Sequence, residues 1–418
     1  MTKNVHSDDL AEHFFRNEYG KMVSVITRYL GTDNIESAED IVQDTMLKAS
    51  ESWKHSGIPP NPQAWLYITA KNLTFNLLKR KKVKSKYKGQ LIRDDTQFEQ
   101  IDVNAFSTEK ISDEQLKMMF VCCHPAIPEN GQIALILKIL CGFSITEIAQ
   151  AFYTNNETIS KRLVRGRKQL KELKINIDLA DIDNSSFDIV LKTIFLLFNE
   201  GYCPNQQNQQ IRYDLCLEAI RLAEILNKHH SIKFQSQSSS LLALMYLNAS
   251  RFAARTNNDF SNSTLDKQDR SLWDQDLINT GIHYLNSASK ETQISKYLIL
   301  AAISANHCIA KNFDETNWVE INSLYNDLIQ IENSPITRIN RSVAISKTKG
   351  YQVAISELLL LSEEINVNDL EVFHATIGEF YRLSQNTPKA IEHLQRALVL
   401  CANPRNSKLL ENKLKGLS

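Results

Sequence analysis

Ser144-Ile-Thr-Glu-Ile-Ala-Gln-Ala-Phe-Tyr-Thr-Asn-Asn-Glu-Thr-Ile-Ser-Lys-Arg-Leu-Val-Arg-Gly-Arg-Lys168 reads as two helices around a polar break. Ser144 and Glu147 stand at capping-box spacing, so a helix starts there and buries Ile145, Ile148, Ala149 and Phe152. Tyr153-Thr-Asn-Asn156 interrupts the pattern, and Ile159, Leu163, Gly166 and Leu170 form the core face of a longer second helix. Its open face carries Thr158, Lys161, Arg162, Arg165 and, at the edge, Lys168. This is a helix-turn-helix pattern, in which the N-terminal end of the second helix meets base edges. A solvated basic helix in an ordinary bundle is the bland alternative. Cap, break and charge placement together favour a DNA reader.

Upstream lies a second helical unit. Ser37-Ala-Glu-Asp40 offers a cap with an acidic residue three positions on. In the helix it opens, Ala38, Ile41, Val42, Thr45, Met46 and Ala49 recur at 3.6-residue spacing, leaving Asp40, Gln43, Asp44 and Leu47 on the outer face. The next helix is capped by Asn61 and begins with Pro62, whose missing N–H would be unpaired there anyway. Leu66, Ala70, Leu73 and Leu77 share its core face, and Trp65, Ile68, Asn72, Phe75 and Lys79 share the opposite one. Apolar and aromatic groups interleaved with an amide and a cation suit unstacked bases, or else a neighbouring helix. The helix runs into Lys79-Arg-Lys-Lys-Val-Lys-Ser-Lys-Tyr-Lys88, which has no acidic residue and would hold phosphate by charge alone.

These units sit in a chain of 418 residues, too long for one ordinary domain. Lys+Arg equals Asp+Glu at 48 each, so net charge nominates no partner and only local distribution can. With 12 Gly and 9 Pro and no alternating pattern, the chain reads as all-α. Apolar periodicity lapses over 91–110, and an acidic stretch, Asp178–Asp183, breaks it again. The divisions expected are therefore 1–90, a linker at 91–110, 111–175, and a helical region over 186–418. The N-terminus has no apolar leader and no stretch approaches the roughly 18 apolar residues of a membrane span, so a cytoplasmic protein is expected.

Seven cysteines scattered through apolar segments fit reduced packing thiols. Cys122-Cys-His124 invites a zinc site, but three adjacent side chains converge poorly on one ion, and Cys123 continues the stripe of Leu116, Met119 and Phe120. No metal and no cofactor are expected. Near the C-terminus, Ile377-Gly378, Tyr381, Ala390, Leu394 and Ala397 fall at tetratricopeptide-like spacing, and Ala354-Ile355-Ser-Glu-Leu358 echoes Ala390-Ile391-Glu-His-Leu394. Stacked hairpins leave a concave face, the expected place for a protein or peptide ligand. Two clusters could line that face, Asn199-Glu-Gly-Tyr202 and the charges Arg251, Arg255, Asp269 and Arg270 near a Trp; the favoured reading is a helix stop with Gly201 as C-cap and internal ion pairs. No catalytic constellation or phosphate loop appears, and His229-His230 lies in a polar break, so no enzyme is expected.

With both units in view, the chain resembles the extracytoplasmic-function group of bacterial sigma factors over roughly residues 10–173. The likeness rests on Ala38-Glu-Asp-Ile-Val-Gln-Asp-Thr-Met-Leu47, Asn61-Pro-Gln-Ala-Trp-Leu66, Ala70-Lys-Asn72, Ile145-Thr-Glu-Ile-Ala149 and Thr158-Ile-Ser-Lys-Arg-Leu-Val-Arg165. Met46 stands where that group commonly has Phe, a conservative core change. The resemblance implies two small DNA-binding domains, sigma regions 2 and 4. It places Asp40, Gln43, Asp44 and Leu47 on core RNA polymerase, whose β′ and β subunits are the expected partners together with promoter DNA. The loop Lys54–Asn61, with Trp65, Lys71, Asn72, Lys79 and Arg80, would face the −10 element. Thr158, Lys161, Arg162, Arg165 and Lys168 would read the −35 element. Cys122-Cys-His-Pro125, Phe195-Leu-Leu-Phe-Asn-Glu-Gly-Tyr202 and Asp269-Arg-Ser-Leu-Trp273 resemble a subgroup carrying a tetratricopeptide-like extension. The function implied is promoter-specific transcription initiation, with the extension touching region 4 and supporting or regulating activity. The rival is a one-component helix-turn-helix regulator with a helical sensor domain.

Overall fold

The computed structural model describes residues 5–87, 106–152, 154–173, 175, 184–202, 212–228, 232–256, 264–290, 294–401 and 404–417. These include part of the 91–110 segment; His229-His230 and Asp178–Asp183 lie outside them. Among the described residues every regular element is helical. The chain forms two compact units, Met1–Leu196 and Leu197–Ser418.

The first unit is built around α1 (Val5–Leu30). Its Met22, Val23, Val25 and Ile26 are almost fully buried, a face too wide for one neighbour. On one side pack α2 (Ile35–Ser56) and α3 (Pro62–Tyr87); on the other pack α4 (Thr108–Cys122) and α5 (Glu129–Ile139). The approach to the second group is close enough to demand a glycine: a Cβ on Gly20 would stand 2.0 Å from the Leu140 carbonyl oxygen. α6 (Ile145–Ala151) and α7 (Asn156–Leu173) follow. Ion pairs Arg16–Glu147, Arg28–Glu114 and Arg167–Glu39 tie the first three helices to the later four. α8 (Asn184–Tyr202) lays its first half on this unit: Phe187 meets Phe120, Lys192 pairs with Glu129 at 2.9 Å, and the Cys123 thiol donates to the Thr193 hydroxyl.

Local signals hold in part. Asn61 accepts from the Ala64 N–H at 3.0 Å, and Pro62 opens α3 as expected. α2, by contrast, starts at Ile35 and not at Ser37. Gly31, in the left-handed region, turns the chain into a 3-10 turn that continues straight into α2, and Asn34 takes the cap position. On α3 the buried face is Leu66, Tyr67, Ala70 and Thr74; Leu73 and Leu77 are only half-buried.

The second unit contains the rest of α8, then α9 (Tyr213–Lys228), α10 (Ile232–Ala249) and the short α11 (Phe252–Thr256). α10 is its axis: Leu241, Leu242, Ala243, Met245 and Leu247 are inaccessible to solvent because α9, α12 (Gln275–Ala288) and α13 (Lys296–Ile309) surround it. From there α14 (Trp318–Ile331), α15 (Pro335–Thr348), α16 (Tyr351–Glu364), α17 (Glu371–Leu383), α18 (Thr387–Leu400) and α19 (Pro404–Lys415) each pack on the helix before. Side-chain caps start several of them, including Asn317, Ser334 and Asn386. In the α17–α18 hairpin Ile377, Tyr381, Ala390, Leu394 and Ala397 are buried, and the helices pack so closely at Gly378 that a Cβ there would stand 3.0 Å from Leu394 Cγ. Ala354, Ile355 and Leu358 are buried likewise on α16.

Gly201 is no C-cap. α8 continues through Tyr202 and Gly201 keeps a negative φ; its missing side chain leaves room for Cys216 and for the Arg212 carbonyl oxygen, which a Cβ would approach to 2.8 Å.

Candidate nucleic-acid interface

On α2 the residues Ala38, Ile41, Val42, Thr45 and Ala49 are buried, and Met46 is half-buried. Asp40, Gln43, Asp44 and Leu47 all lie exposed on the opposite side, Leu47 at 59 %. The helix thus presents acidic, amide and apolar groups along one exposed strip, its Gln43 also bonding the Tyr19 hydroxyl, a composition suited to a protein partner bearing cations and an apolar contact.

On α3, Ile68, Asn72, Phe75 and Lys79 form an exposed stripe, with Arg80 beside it and Lys71 half-buried. Ile68 and Phe75 are 58 % and 48 % exposed, so two apolar groups flank the Asn72 amide without a partner covering them. Trp65 departs from the expected stripe. It is half-buried, its ring meeting Trp53 edge-on at 5.7 Å, while Phe15 stacks on the same Trp53 at 5.5 Å. Aromatic packing within the fold takes up part of its surface. Ile58, 70 % exposed, projects from the turn between α2 and α3. The side chains of the basic run from Lys84 onward lie outside the described residues.

α6 and α7 follow the sequence pattern closely. Ser144 and Glu147 make both capping-box bonds, at 2.8 and 3.1 Å. Ile148 and Ala149 are buried, Ile145 and Phe152 half-buried. Burial would raise the Glu147 carboxyl, but the Ser144 N–H and hydroxyl and the Arg16 guanidinium hold it below its ordinary range. Asn155 caps α7 by accepting from the Thr158 N–H at 2.8 Å, and Ile159, Leu163, Gly166 and Leu170 are buried. Outward face Lys161, Arg165 and Lys168, with Thr158 and Arg162 half-buried. Lys161 pairs with Glu157 at 2.7 Å and Lys168 with Glu172 at 3.8 Å. Exposed i,i+4 pairs of this kind contribute only about 0.3–0.5 kcal/mol, so both cations stay available to a phosphate.

Periodicity missed the long-range pairs, Arg167 with Glu39 among them. Arg167 turns away from the cationic face and donates to Glu39 of α2 at 2.7 Å, and Glu39 also accepts from the Tyr19 hydroxyl at 3.1 Å. Burial, then the Glu39 charge, push the Tyr19 phenol well above its usual range. Glu39 flanks Asp40 in sequence but sits on the buried side, and only its place beside Ala38 in the apolar stripe hinted at that.

Cys122 and Cys123 are fully buried. Burial raises both thiols, Cys123 to about 12, so both stay protonated at neutral pH. The His124 imidazole accepts from the Ala126 N–H. Among the described residues no group of three His, Cys, Asp or Glu side chains could hold a metal ion, and no helix is long and apolar enough to cross a membrane.

Residues 14–83 match the family described as Sigma-70 region 2, and residues 187–289 match a family of unknown function, DUF6596. An uncharacterized protein of Rhizobium meliloti is 28 % identical over 388 residues, covering 92 % of this chain and 91 % of its own length. The ECF RNA polymerase sigma-E factor of Haemophilus influenzae is 26 % identical over 155 residues, 36 % of this chain and 80 % of that protein. The ECF RNA polymerase sigma factor SigW of Bacillus subtilis is 25 % identical over 164 residues, 36 % of this chain and 82 % of that protein. No solved structure matches. The N-terminal part of the chain is thus homologous to ECF sigma factors and contains sigma-70 region 2.

Proposed function

We propose that this chain is a sigma factor that binds core RNA polymerase and directs promoter-specific initiation; relatives that match its N-terminal part are named ECF RNA polymerase sigma factors. The observation that carries this is the sigma-70 region 2 match over 14–83 together with the exposed acidic-apolar strip Asp40, Gln43, Asp44 and Leu47 inside it. In this reading the strip docks on the β′ subunit. The exposed stripe around Asn72, with Trp65, Lys71, Lys79 and Arg80, faces the −10 element. α6 and α7 act as a helix-turn-helix, region 4, with Thr158, Lys161, Arg162, Arg165 and Lys168 on the −35 element. Region 2 then spans 1–90, a linker 91–110, region 4 111–175, and a tetratricopeptide-like extension 186–418. The extension supports or regulates activity, and its concave side takes a protein or peptide ligand. The protein is non-catalytic and works in the cytoplasm, where core polymerase is.

Co-elution with core polymerase tests the reading. Wild type forms a stable complex, and Asp44→Arg, which leaves Ile41, Val42 and Thr45 in place, weakens it at least tenfold. Equal affinity of the two proteins for core polymerase removes α2 as the docking face.

A further inference from the structure

Among the described residues, two arginines of the second unit have no carboxylate partner. Arg251 is 9 % exposed, and its guanidinium lies 5.9 Å from the centroid of the Trp273 ring. One terminal nitrogen donates to the Asn248 side-chain oxygen; Nε has no partner. The Arg270 guanidinium lies 4.6 Å from the same ring. Its Nη1 donates to the carbonyl oxygens of His307 and Ala310 at the end of α13, the latter at 2.7 Å, and its Nη2 is buried and unpaired. The Trp273 indole N–H is also buried without an acceptor. Asp269, the adjacent carboxylate, is turned to Ser271, accepting from its N–H at 2.9 Å and its hydroxyl at 2.7 Å. Among the described residues neither arginine forms an ion pair, unlike the internal pairing the sequence suggests for them.

Two like charges held against one indole repel each other, and the buried Arg251 guanidinium, without a counter-charge, is costly. The α13 carbonyls offset part of this for Arg270 through their dipoles. Three N–H groups remain without an acceptor, Arg251 Nε, Arg270 Nη2 and Trp273 Nε1, beside an unpaired His307 Nδ1 that carries the proton in one neutral tautomer. A group that satisfies donors only and cancels positive charge is an anion with several acceptor oxygens. The His307 imidazole, facing both arginines, is held neutral and adds no further charge. A cleft of about 1220 Å³ runs past Ala254, one turn beyond Arg251, and Asp269, next to Arg270, and Arg270 itself is only half-buried. We infer that Arg251, Arg270 and Trp273 form a binding site for an oxyanion, the carboxylate or phosphate group of a ligand that enters from this side.

The test is the thermal melting of the full chain at constant ionic strength, with inorganic phosphate or acetate replacing chloride at low millimolar concentration. The site predicts a rise of roughly 5 °C or more at saturation in the transition of the second unit. A response to phosphate alone identifies a phosphate site; a response to acetate as well identifies a carboxylate site. Arg251→Met abolishes the response and, in chloride, melts no lower than wild type, because it removes an uncompensated charge. Should Arg251→Met fail to fold, Trp273→Phe, which deletes one donor and keeps the ring, weakens the anion response about tenfold. No response in wild type, or one that survives undiminished in Trp273→Phe, overturns the site.

Discussion

Replacing Arg167 by Met removes the cation that Glu39 faces inside the first unit. The Glu39 side chain is 4 % exposed and that of Arg167 19 %, so the bond between them is largely screened from water. After the substitution the carboxylate keeps only the Tyr19 hydroxyl among the bonds described here. Breaking a buried pair from one side costs about 3–5 kcal/mol, and the one-fifth exposure of Arg167 argues for the lower end, about 3 kcal/mol. For a unit of this size that corresponds to a melting point lower by roughly 6–12 °C. Glu39→Gln keeps one acceptor oxygen for Arg167 and can donate from its NH2 to the Tyr19 hydroxyl, so it costs less, about 1–2 kcal/mol. The double variant costs less than the sum of the two, since each single change strands the other partner. Calorimetry of all four proteins reads these differences. An Arg167→Met protein within about 0.5 kcal/mol of wild type, typical of surface sites, would refute the claim that this pair joins α7 to α2.

His307 sets a pH dependence. Burial and the Arg251 and Arg270 charges lower its pKa to about 3, against an ordinary value of 6.5. The unfolded chain therefore takes up a proton that the folded one refuses, and stability falls as pH drops from 6.5 toward 3. Between pH 6.5 and pH 5 the loss is about 2 kcal/mol, and it disappears in His307→Gln; equal losses in both proteins contradict it. Gly378→Ala places a Cβ 3.0 Å from Leu394 Cγ and 3.2 Å from His393 Cβ. Leu394 is fully buried and cannot swing away, so overpacking costs about 1–3 kcal/mol, measurable by urea titration. Arg165→Ala on α7 lowers promoter affinity by about 1–3 kcal/mol and relaxes preference at one −35 position if the residue reads a base. A uniform loss across promoters with a smaller salt slope marks a phosphate contact instead.

What the sequence made legible was local. The Ser144–Glu147 box and the α7 core Ile159, Leu163, Gly166 and Leu170 depend on contacts within a few turns, and periodicity and capping encode those directly. The exposure of Asp40, Gln43, Asp44 and Leu47 follows from the same period. What it hid was long-range. Arg167 and Glu39 are 128 positions apart and Arg16 and Glu147 are 131 apart, so no local rule brings them together. Trp65 reads as a surface aromatic until Trp53, twelve residues earlier, comes to lie against it. Arg251 and Arg270 read as members of ion pairs because acidic residues stand nearby in sequence, yet Asp269 satisfies itself within its own turn.

Run-off transcription measures the central claim most directly. Purified chain, core RNA polymerase and the DNA upstream of its own gene are combined, with Asp44→Arg as the matched control. A sigma factor yields a discrete transcript that requires the chain, and that transcript falls at least tenfold with Asp44→Arg. A chain that binds the same DNA but yields no transcript with core polymerase, and alters only transcription driven by another sigma factor, would contradict the account and leave a DNA-binding regulator in its place.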